Sequence, residues 1–296
     1  MSATVFLGGG RITAALVAGL RGAAPKLRGG GRIVVCDRHP EKLRQLQRRF
    51  GAKPARDARQ AAEQAGGRGG NNVPGLLLIA VRPGDVLPLL AAVGPLRRRT
   101  IAVSLAAGVP LRALRRTLGP RAEWARAMPS PAARAGLGLT ALAFDRAMRP
   151  GNRRRVRRFF ERVGAVLEIP ESQFDAFTVV YSTSQGCEAL RARVRAARKI
   201  GLGTHSAFVA AAHSLADGIR SLGGNQDALE TSLAEAATPG GIAARVMEMM
   251  REEGYERVIA HAFHAGLVRA RRAAHAGLSR PVAGEKTRVH GATRSA

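Results

Sequence analysis

Three consecutive glycines near the start of the chain are the first residues whose type and spacing suggest chemistry. In the stretch TVFLGGGRITAALVAGL, residues 4–20, an apolar run ends at these glycines and a helical pattern begins directly after them. Such a turn holds the diphosphate of a dinucleotide, because the glycine backbone approaches the phosphates and the first helical amides donate to them. The pattern predicts a dinucleotide site, or merely a tight connection, formed by Gly8, Gly9, Gly10, Arg11 and Ile12.

An acidic and a basic residue follow the next apolar run, where dinucleotide-binding folds contact the adenosine ribose. The carboxylate of Asp37 could accept hydrogen bonds from the ribose of NAD, and the guanidinium of Arg38 could pair with the 2′-phosphate of NADP. The same two residues could instead begin a helix ahead of Pro40. The predicted cofactor is therefore NADP or NAD. Thr13, at the third glycine position of the motif, is larger than the usual glycine or alanine.

Apolar runs and helical patterns alternate through the first 170 residues, as they do in a parallel sheet covered by helices on both faces. The predicted strands are residues 4–7, 32–36, 76–81, 100–105, 124–128, 140–144 and 165–169. The predicted helices between them are residues 12–20, 40–50, 57–64, 84–93 and 111–118. The predicted fold class is α/β, with a Rossmann-type doubly wound parallel sheet in residues 1–170.

Strand patterns stop after Glu171, and the remaining segments show helical periodicity interrupted by glycine and proline. The predicted helical segments are 174–203, 205–224, 225–237, 242–254 and 255–277. We therefore predict an all-α substrate and dimerisation domain over residues 171–278. The last segment, 279–296, is basic and lacks periodicity, and it is predicted to be a disordered tail.

The composition restricts the classes of partner. Lys and Arg number 48 against 21 Asp and Glu, for a net charge of +27. The basic residues are almost all arginine and are dispersed without interleaved aromatic side chains, so nucleic acid is not the expected partner. No apolar run is long enough to span a membrane, and no signal peptide is expected, because the first residues lack a basic n-region. Two distant cysteines suit the reducing cytoplasm. His261 and His264 have no third ligand at a fitting spacing, so no metal is predicted.

Six segments occur in an order and spacing that resemble the pyrroline-5-carboxylate reductase family, over about residues 4–275. The segments are FLGGGRITAALVAGL, DRHPEKLRQL, LIAVRPGDV, SLAAGVPLRAL, RAMPSPAARAGLGLTALA and ATPGGIAARV. The resemblance implies an oxidoreductase of proline biosynthesis that transfers hydride from NADPH or NADH to a cyclic imine acid. It also implies a Rossmann domain followed by a helical domain that forms a homodimer or a higher oligomer.

The resemblance also assigns cofactor residues beyond the glycine turn. It places Ala80, Val81, Arg82 and Pro83 beside the adenosine ribose. It places Ala106, Ala107 and Gly108 along the nicotinamide end.

The part of the resemblance that concerns the substrate contains departures from the family pattern. Ser182, Thr183 and Ser184 fall where the family opens a substrate-facing helix, and Gly240 and Gly241 fall in its glycine turn. The threonine that in the family contacts the imine nitrogen is replaced by Ala243, and Thr238 is the candidate catalytic substitute. Two alternatives therefore stay open: a reductase of a different imine, and a non-catalytic dimeric protein that binds a nucleotide.

Overall fold

A computed structural model describes residues 3–22, 31–66, 73–225 and 227–278. They form two compact units. The first runs to Thr178 and resumes at Val268, and the second comprises Val179–Leu267. The first predicted domain, residues 1–170, falls within the first unit. The tail predicted over residues 279–296 lies outside the described residues.

The first unit is built on one eight-stranded sheet with the strand order β3-β2-β1-β4-β5-β6-β7-β8. The six strands β1 to β6 are parallel to one another. Their order is that of a doubly wound dinucleotide-binding sheet, which confirms the predicted fold class. The strands are β1 Thr4–Leu7, β2 Ile33–Cys36, β3 Lys53–Pro54, β4 Leu76–Ile79, β5 Thr100–Ser104, β6 Ala122–Met128, β7 Gly138–Phe144 and β8 Gly164–Glu168.

The central strands are apolar throughout because both faces of the sheet are covered. All four residues of β4 and all five of β5 are buried. Successive side chains point to opposite faces of a strand, so Phe6 joins one hydrophobic core while Val5 and Leu7 join the other. Continuous apolar runs are therefore the expected sequence signal for this kind of sheet.

Strand β7 is antiparallel to β6, whereas the sequence predicted a parallel sheet. The connection between them, residues 129–137, contains only the short 3-10 helix Pro131–Ala135. A parallel pair needs a crossover of a dozen or more residues, so this connection can only reverse the chain direction.

Helices cover both faces of the sheet, and one of them was missed in the sequence. Helix α6 carries an arginine run, but Val156, Phe159 and Phe160 share its buried face at helical spacing. The helices before it are α1 Arg11–Gly22, α2 Pro40–Phe50, α3 Ala58–Gln64, α4 Pro83–Val93 and α5 Leu111–Leu114. Helix α6 spans Pro150–Glu161, and α7, Phe174–Val180, follows the 3-10 helix Glu171–Gln173.

The second unit is helical, as predicted. Its helices are α8 Thr183–Lys199, α9 Thr204–Ser221, α10 Ala228–Ala236 and α11 Ile242–Glu252, and α12, Tyr255–Leu278, begins in this unit. The segment predicted as one helix over 174–203 is two helices, because the chain leaves helical geometry at Tyr181 and Ser182. None of the helices described here combines the length and the apolar character needed to cross a membrane.

Candidate functional site

Four segments of the first unit meet at one edge of the sheet. Strands β1, β2, β4 and β5 are parallel and in register, so their carboxyl ends lie side by side. The structure thereby brings together the glycine turn after β1, the pair Asp37 and Arg38 after β2, and the segments 80–83 and 106–108 after β4 and β5. In open α/β sheets this edge is where ligands bind.

The turn after β1 requires glycine at Gly8 and leaves open space at Gly10. Gly8 has a φ of +111°, and a Cβ there would lie 2.6 Å from the carbonyl oxygen of Ala80. A Cβ on Gly10 would meet no atom within 4 Å. The backbone is therefore packed tightly toward the sheet at Gly8 and open at Gly10, which is the shape that a diphosphate lying on the backbone needs.

Thr13 fits the turn by means of its hydroxyl, which was not foreseen in the sequence. Its side chain is fully buried, and Oγ1 donates a hydrogen bond of 2.6 Å to the carbonyl of Gly8. The hydroxyl thus satisfies a buried acceptor inside the turn. The larger residue at the third motif position therefore stabilises the turn.

Helix α1 begins at Arg11, immediately after the turn, and presents free backbone donors at that end. Within the described residues, the amides of Arg11 and Ile12 have no acceptor, because the first helical hydrogen bond runs from Ala14 to Gly10. Two free amides and the positive end of the helix dipole at an open glycine fit an anionic diphosphate.

Asp37 is bound to the glycine turn. Its Oδ2 accepts from the amide of Gly9 at 2.7 Å, and its Oδ1 accepts from the amide of His39 at 2.9 Å. Burial opposes ionisation, but the hydrogen bonds from Gly9 and His39 hold the pKa of Asp37 below its ordinary value. Asp37 is thus a carboxylate at neutral pH, in the position of the predicted ribose acceptor.

Two basic side chains lie beside this carboxylate, and neither was singled out in the sequence. The ring Nδ1 of His39 lies 2.9 Å from Oδ1 of Asp37, and Nζ of Lys42 lies 3.8 Å from the same oxygen. Arg38 is exposed and has no ion pair among the described residues. The signal in the sequence was the start of a helix at Pro40, because Lys42 then lies in the first turn of that helix, close to Asp37.

The other two segments frame the same edge. Arg82 is the N-cap of α4, which begins at Pro83. The carbonyl of Ala80 packs against Gly8. After β5, the buried hydroxyl of Ser104 lies 3.4 Å from the amide of Ala106, and Gly108 has a φ of +73°. The role of Ala80, Val81, Arg82, Pro83, Ala106, Ala107 and Gly108 in cofactor binding stays a prediction.

The second unit holds the residues predicted to bind substrate, at the starts of two helices. Ser182 precedes α8, and its hydroxyl lies 2.7 Å from that of Ser184. Gly241 precedes α11, and its amide donates to the carbonyl of Thr238 at 2.8 Å. Thr183, Ser184, Thr238 and Gly240 are exposed. Both helix starts therefore present hydroxyls or amides on the surface of this unit.

No group of three or more His, Cys, Asp or Glu side chains that could hold a metal ion occurs in the described part of the chain. His261 and His264, the residues considered for such a site, lie on α12.

Comparison with known proteins relates the chain to oxidoreductases. Residues 4–108 match the family described as NADP oxidoreductase, coenzyme F420-dependent. The chain is 30% identical over 246 residues to the pyrroline-5-carboxylate reductase of Thermus thermophilus, covering 82% of this chain and 87% of that protein. It is 31% identical over 187 residues to the pyrroline-5-carboxylate reductase of Mycobacterium tuberculosis, covering 61% of this chain. That alignment spans 59% of the length of the mycobacterial protein.

A solved structure supports the fold. The pyrroline carboxylate reductase of Plasmodium falciparum, determined with NADP bound, superposes with a TM-score of 0.78. The two chains are 14% identical, and the superposition covers 93% of this chain and 98% of the other. At this identity the likeness establishes a shared fold.

Proposed function

Because the chain belongs to the pyrroline-5-carboxylate reductase family, we propose that it reduces 1-pyrroline-5-carboxylate to proline with NADPH or NADH. The observation that carries the proposal is the glycine turn, in which Gly10 is open and the amides of Arg11 and Ile12 have no acceptor among the described residues. When bound there, the reduced coenzyme supplies a hydride to the carbon of a C=N bond, and the protonated nitrogen keeps its proton.

The residues at the sheet edge fit such a coenzyme in chemical type. Gly8, Gly9 and Gly10 would hold the diphosphate together with the first amides of α1. The segments 80–83 and 106–108 would lie along the ribose and the nicotinamide. A protonated imine is already electrophilic, so the main tasks of the protein are to bind, orient and exclude water.

The coenzyme preference follows from the charges around Asp37. A carboxylate at this position accepts from a ribose diol and repels a 2′-phosphate, which favours NADH. Arg38, His39 and Lys42 supply basic groups around it, and Arg38 has no ion pair among the described residues to compete with a phosphate. We expect NADPH to bind more tightly than NADH, because a free guanidinium pairs strongly with phosphate.

The substrate carboxylate would be bound by the helix starts of the second unit. Ser182, Thr183 and Ser184 offer hydroxyls at the start of α8. Gly240 and Gly241 form the turn ahead of α11, and the first amides of that helix are the donors, because the amide of Gly241 already donates to the carbonyl of Thr238. A helix N-terminus attracts an anion through its free amides and its dipole. The hydroxyl of Thr238 would contact the imine nitrogen in place of the side chain lost at Ala243.

We further propose that the second unit associates with a second copy of the chain. Several of its large apolar side chains are exposed, which is costly in water. They include Ile200, Phe208, Ile219, Ile242 and Val258. The proposed location is the cytoplasm, because Cys36 and Cys187 are both free thiols and a reducing compartment keeps them so.

The experiment that tests the proposed function is turnover by the purified full chain. NADPH or NADH should be consumed only when 1-pyrroline-5-carboxylate is added, and proline should accumulate in equal amount. Coenzyme binding without turnover on this or any related cyclic imine would overturn the proposal in favour of a non-catalytic nucleotide-binding protein. Turnover only with another cyclic imine acid would keep the reaction and change the substrate.

A further inference from the structure

A buried arginine of the first unit is surrounded by groups that the proposed reaction does not use. Arg126 lies in β6 and is only 2% exposed. Its Nη1 lies 3.4 Å from Oε1 of Glu171, and its Nη2 lies 3.0 Å from Oδ1 of Asp175. The guanidinium carbon lies 4.1 Å from the centre of the Phe174 ring, within the range of a cation–π contact. The arginine is thus held by two carboxylates and one ring.

Glu171 has a second contact that ties this cluster to the sheet edge. The same oxygen, Oε1, accepts a hydrogen bond of 2.5 Å from the backbone amide of Leu111, 60 residues away in sequence. Leu111 is the first residue of α5, and its N-cap is Pro110, whose side chain cannot accept a hydrogen bond. Glu171 therefore supplies the N-terminal cap that the local sequence lacks.

The capped amide lies at the end of the segment that leaves β5. Ala106, Ala107 and Gly108 stand between Ser104, the last residue of β5, and the start of α5. At one end, the hydroxyl of Ser104 accepts from Ala106, and Ser104 pairs in register with Arg126. At the other end, Glu171 accepts from Leu111. Both ends of the segment are thus tied to the region around Arg126.

We propose that Glu171, held in place by Arg126, is a positioning residue that fixes the segment 106–108 and so sets the geometry of hydride transfer. The inference rests on the proposed function, which puts the nicotinamide beside this segment. Glu171 contacts the end of the segment that leads to α5, and it does not contact the glycine turn. Its loss therefore misplaces the nicotinamide end of the coenzyme, whereas the affinity for the coenzyme is retained. Small displacements of a reacting group are costly in rate.

Asp175 provides a matched control. It pairs with the same guanidinium, but Glu171 alone reaches Leu111. Removing either carboxylate leaves Arg126 with one partner fewer and destabilises the protein for the same reason. Only the removal of Glu171 also uncaps α5. The comparison of Glu171→Ala with Asp175→Ala therefore separates the loop contact from general stability.

The first measurement is hydrogen exchange without coenzyme. We expect the amide of Leu111 to exchange at least about tenfold faster in Glu171→Ala than in the unaltered protein, and within about twofold of it in Asp175→Ala. Glu171→Gln should restore protection, because its amide oxygen can still accept from Leu111. Equal exchange in Glu171→Ala and Asp175→Ala would overturn the inference.

The second measurement is turnover with coenzyme deuterated at the transferred position. Glu171→Ala should lower kcat about tenfold, raise the deuterium isotope effect on kcat, and leave the coenzyme Kd within about twofold. Asp175→Ala should keep kcat within about twofold. Parallel losses in kcat and coenzyme affinity would overturn the positioning role. Absence of turnover in the unaltered protein would overturn the proposed function itself. Assaying the unaltered protein first therefore distinguishes this failure from a failure of the positioning role.

Discussion

The carboxylate of Asp37, at the end of β2, accepts a hydrogen bond of 2.7 Å from the backbone amide of Gly9 in the turn after β1. The two residues are 28 positions apart in sequence. Asp37 therefore holds the glycine turn and also lies at the position that is predicted to select the coenzyme. Replacing Asp37 should therefore affect stability as well as binding.

Asp37→Asn should lower the free energy of unfolding at neutral pH by about 1–3 kcal/mol, because the acceptor loses its charge and one of its two oxygens is replaced by an NH2 group that cannot accept. The folded-state pKa of Asp37 is lowered, so its contribution is present above its ordinary pKa of about 4 and is lost as the pH falls through the folded value. Urea unfolding at several pH values should show the difference from the unaltered protein shrinking in acid. Glu41→Gln, at an exposed carboxylate of α2, is the control. A difference independent of pH would contradict this assignment.

Gly10→Ala should fold normally and bind coenzyme more weakly. No atom lies within 4 Å of the added Cβ, and Gly10 does not have a positive φ, so the free energy of unfolding should change by less than about 1 kcal/mol. The coenzyme Kd, measured by fluorescence titration, should rise at least about tenfold, because the methyl group takes the space of the diphosphate. Unchanged affinity would remove the glycine turn as the binding site.

Gly8→Ala should behave in the opposite way and lose stability. The new Cβ would lie 2.6 Å from the carbonyl oxygen of Ala80, and φ is +111°. A backbone conformation of this kind costs of order 1–3 kcal/mol for a non-glycine residue, before the steric clash is counted. Urea unfolding should show a loss of at least about 2 kcal/mol. A smaller loss would mean that the turn relaxes around the methyl group.

Thr13→Val should destabilise the protein by about 1–3 kcal/mol although its shape is conserved. The substitution removes the hydroxyl that donates to the carbonyl of Gly8 and leaves a buried acceptor without its partner. Thr13→Ser keeps the hydroxyl and should retain most of the stability. Chemical unfolding of both variants checks this, and an equal loss in both would assign the effect to packing of the methyl group.

Arg38→Ala should weaken NADPH binding about tenfold or more and change NADH binding by less than about twofold. The exposed guanidinium is the group expected to pair with the 2′-phosphate, which NADH lacks. Arg44→Ala, at an exposed arginine of the following helix α2, is the matched control for net charge. Equal effects on the two coenzymes would show that Arg38 does not read the phosphate.

Thr238→Ala should lower kcat about 10²-fold without changing the melting temperature or the coenzyme Kd. The side chain is exposed, so its removal costs little stability, whereas the loss of a hydrogen bond at the reacting centre is costly in rate. Steady-state kinetics with 1-pyrroline-5-carboxylate would check this. Ala243→Thr is the complementary variant, and it should raise kcat in the Thr238→Ala background. A Thr238→Ala variant with full activity would exclude Thr238 as the catalytic substitute.

The sequence alone determined the doubly wound order of elements and the position of the glycine turn. Both follow from local signals: continuous apolar runs for strands buried on two faces, and glycines between a strand and a helix. Strand β1 and helix α2 were predicted with the bounds that the structure has. Helix α6 was not predicted, because most of its side chains are basic and only Val156, Phe159 and Phe160 form its apolar face.

Tertiary structure alone decided the contacts between residues distant in the chain. The antiparallel direction of β7 depends on a connection too short for a crossover, and the bond from Leu111 to Glu171 joins residues 60 positions apart. The bond from Gly9 to Asp37 likewise exists because two parallel strands end at one edge. A pattern in sequence records which face of an element is apolar, whereas the partner of a polar group is set by the packing of whole elements.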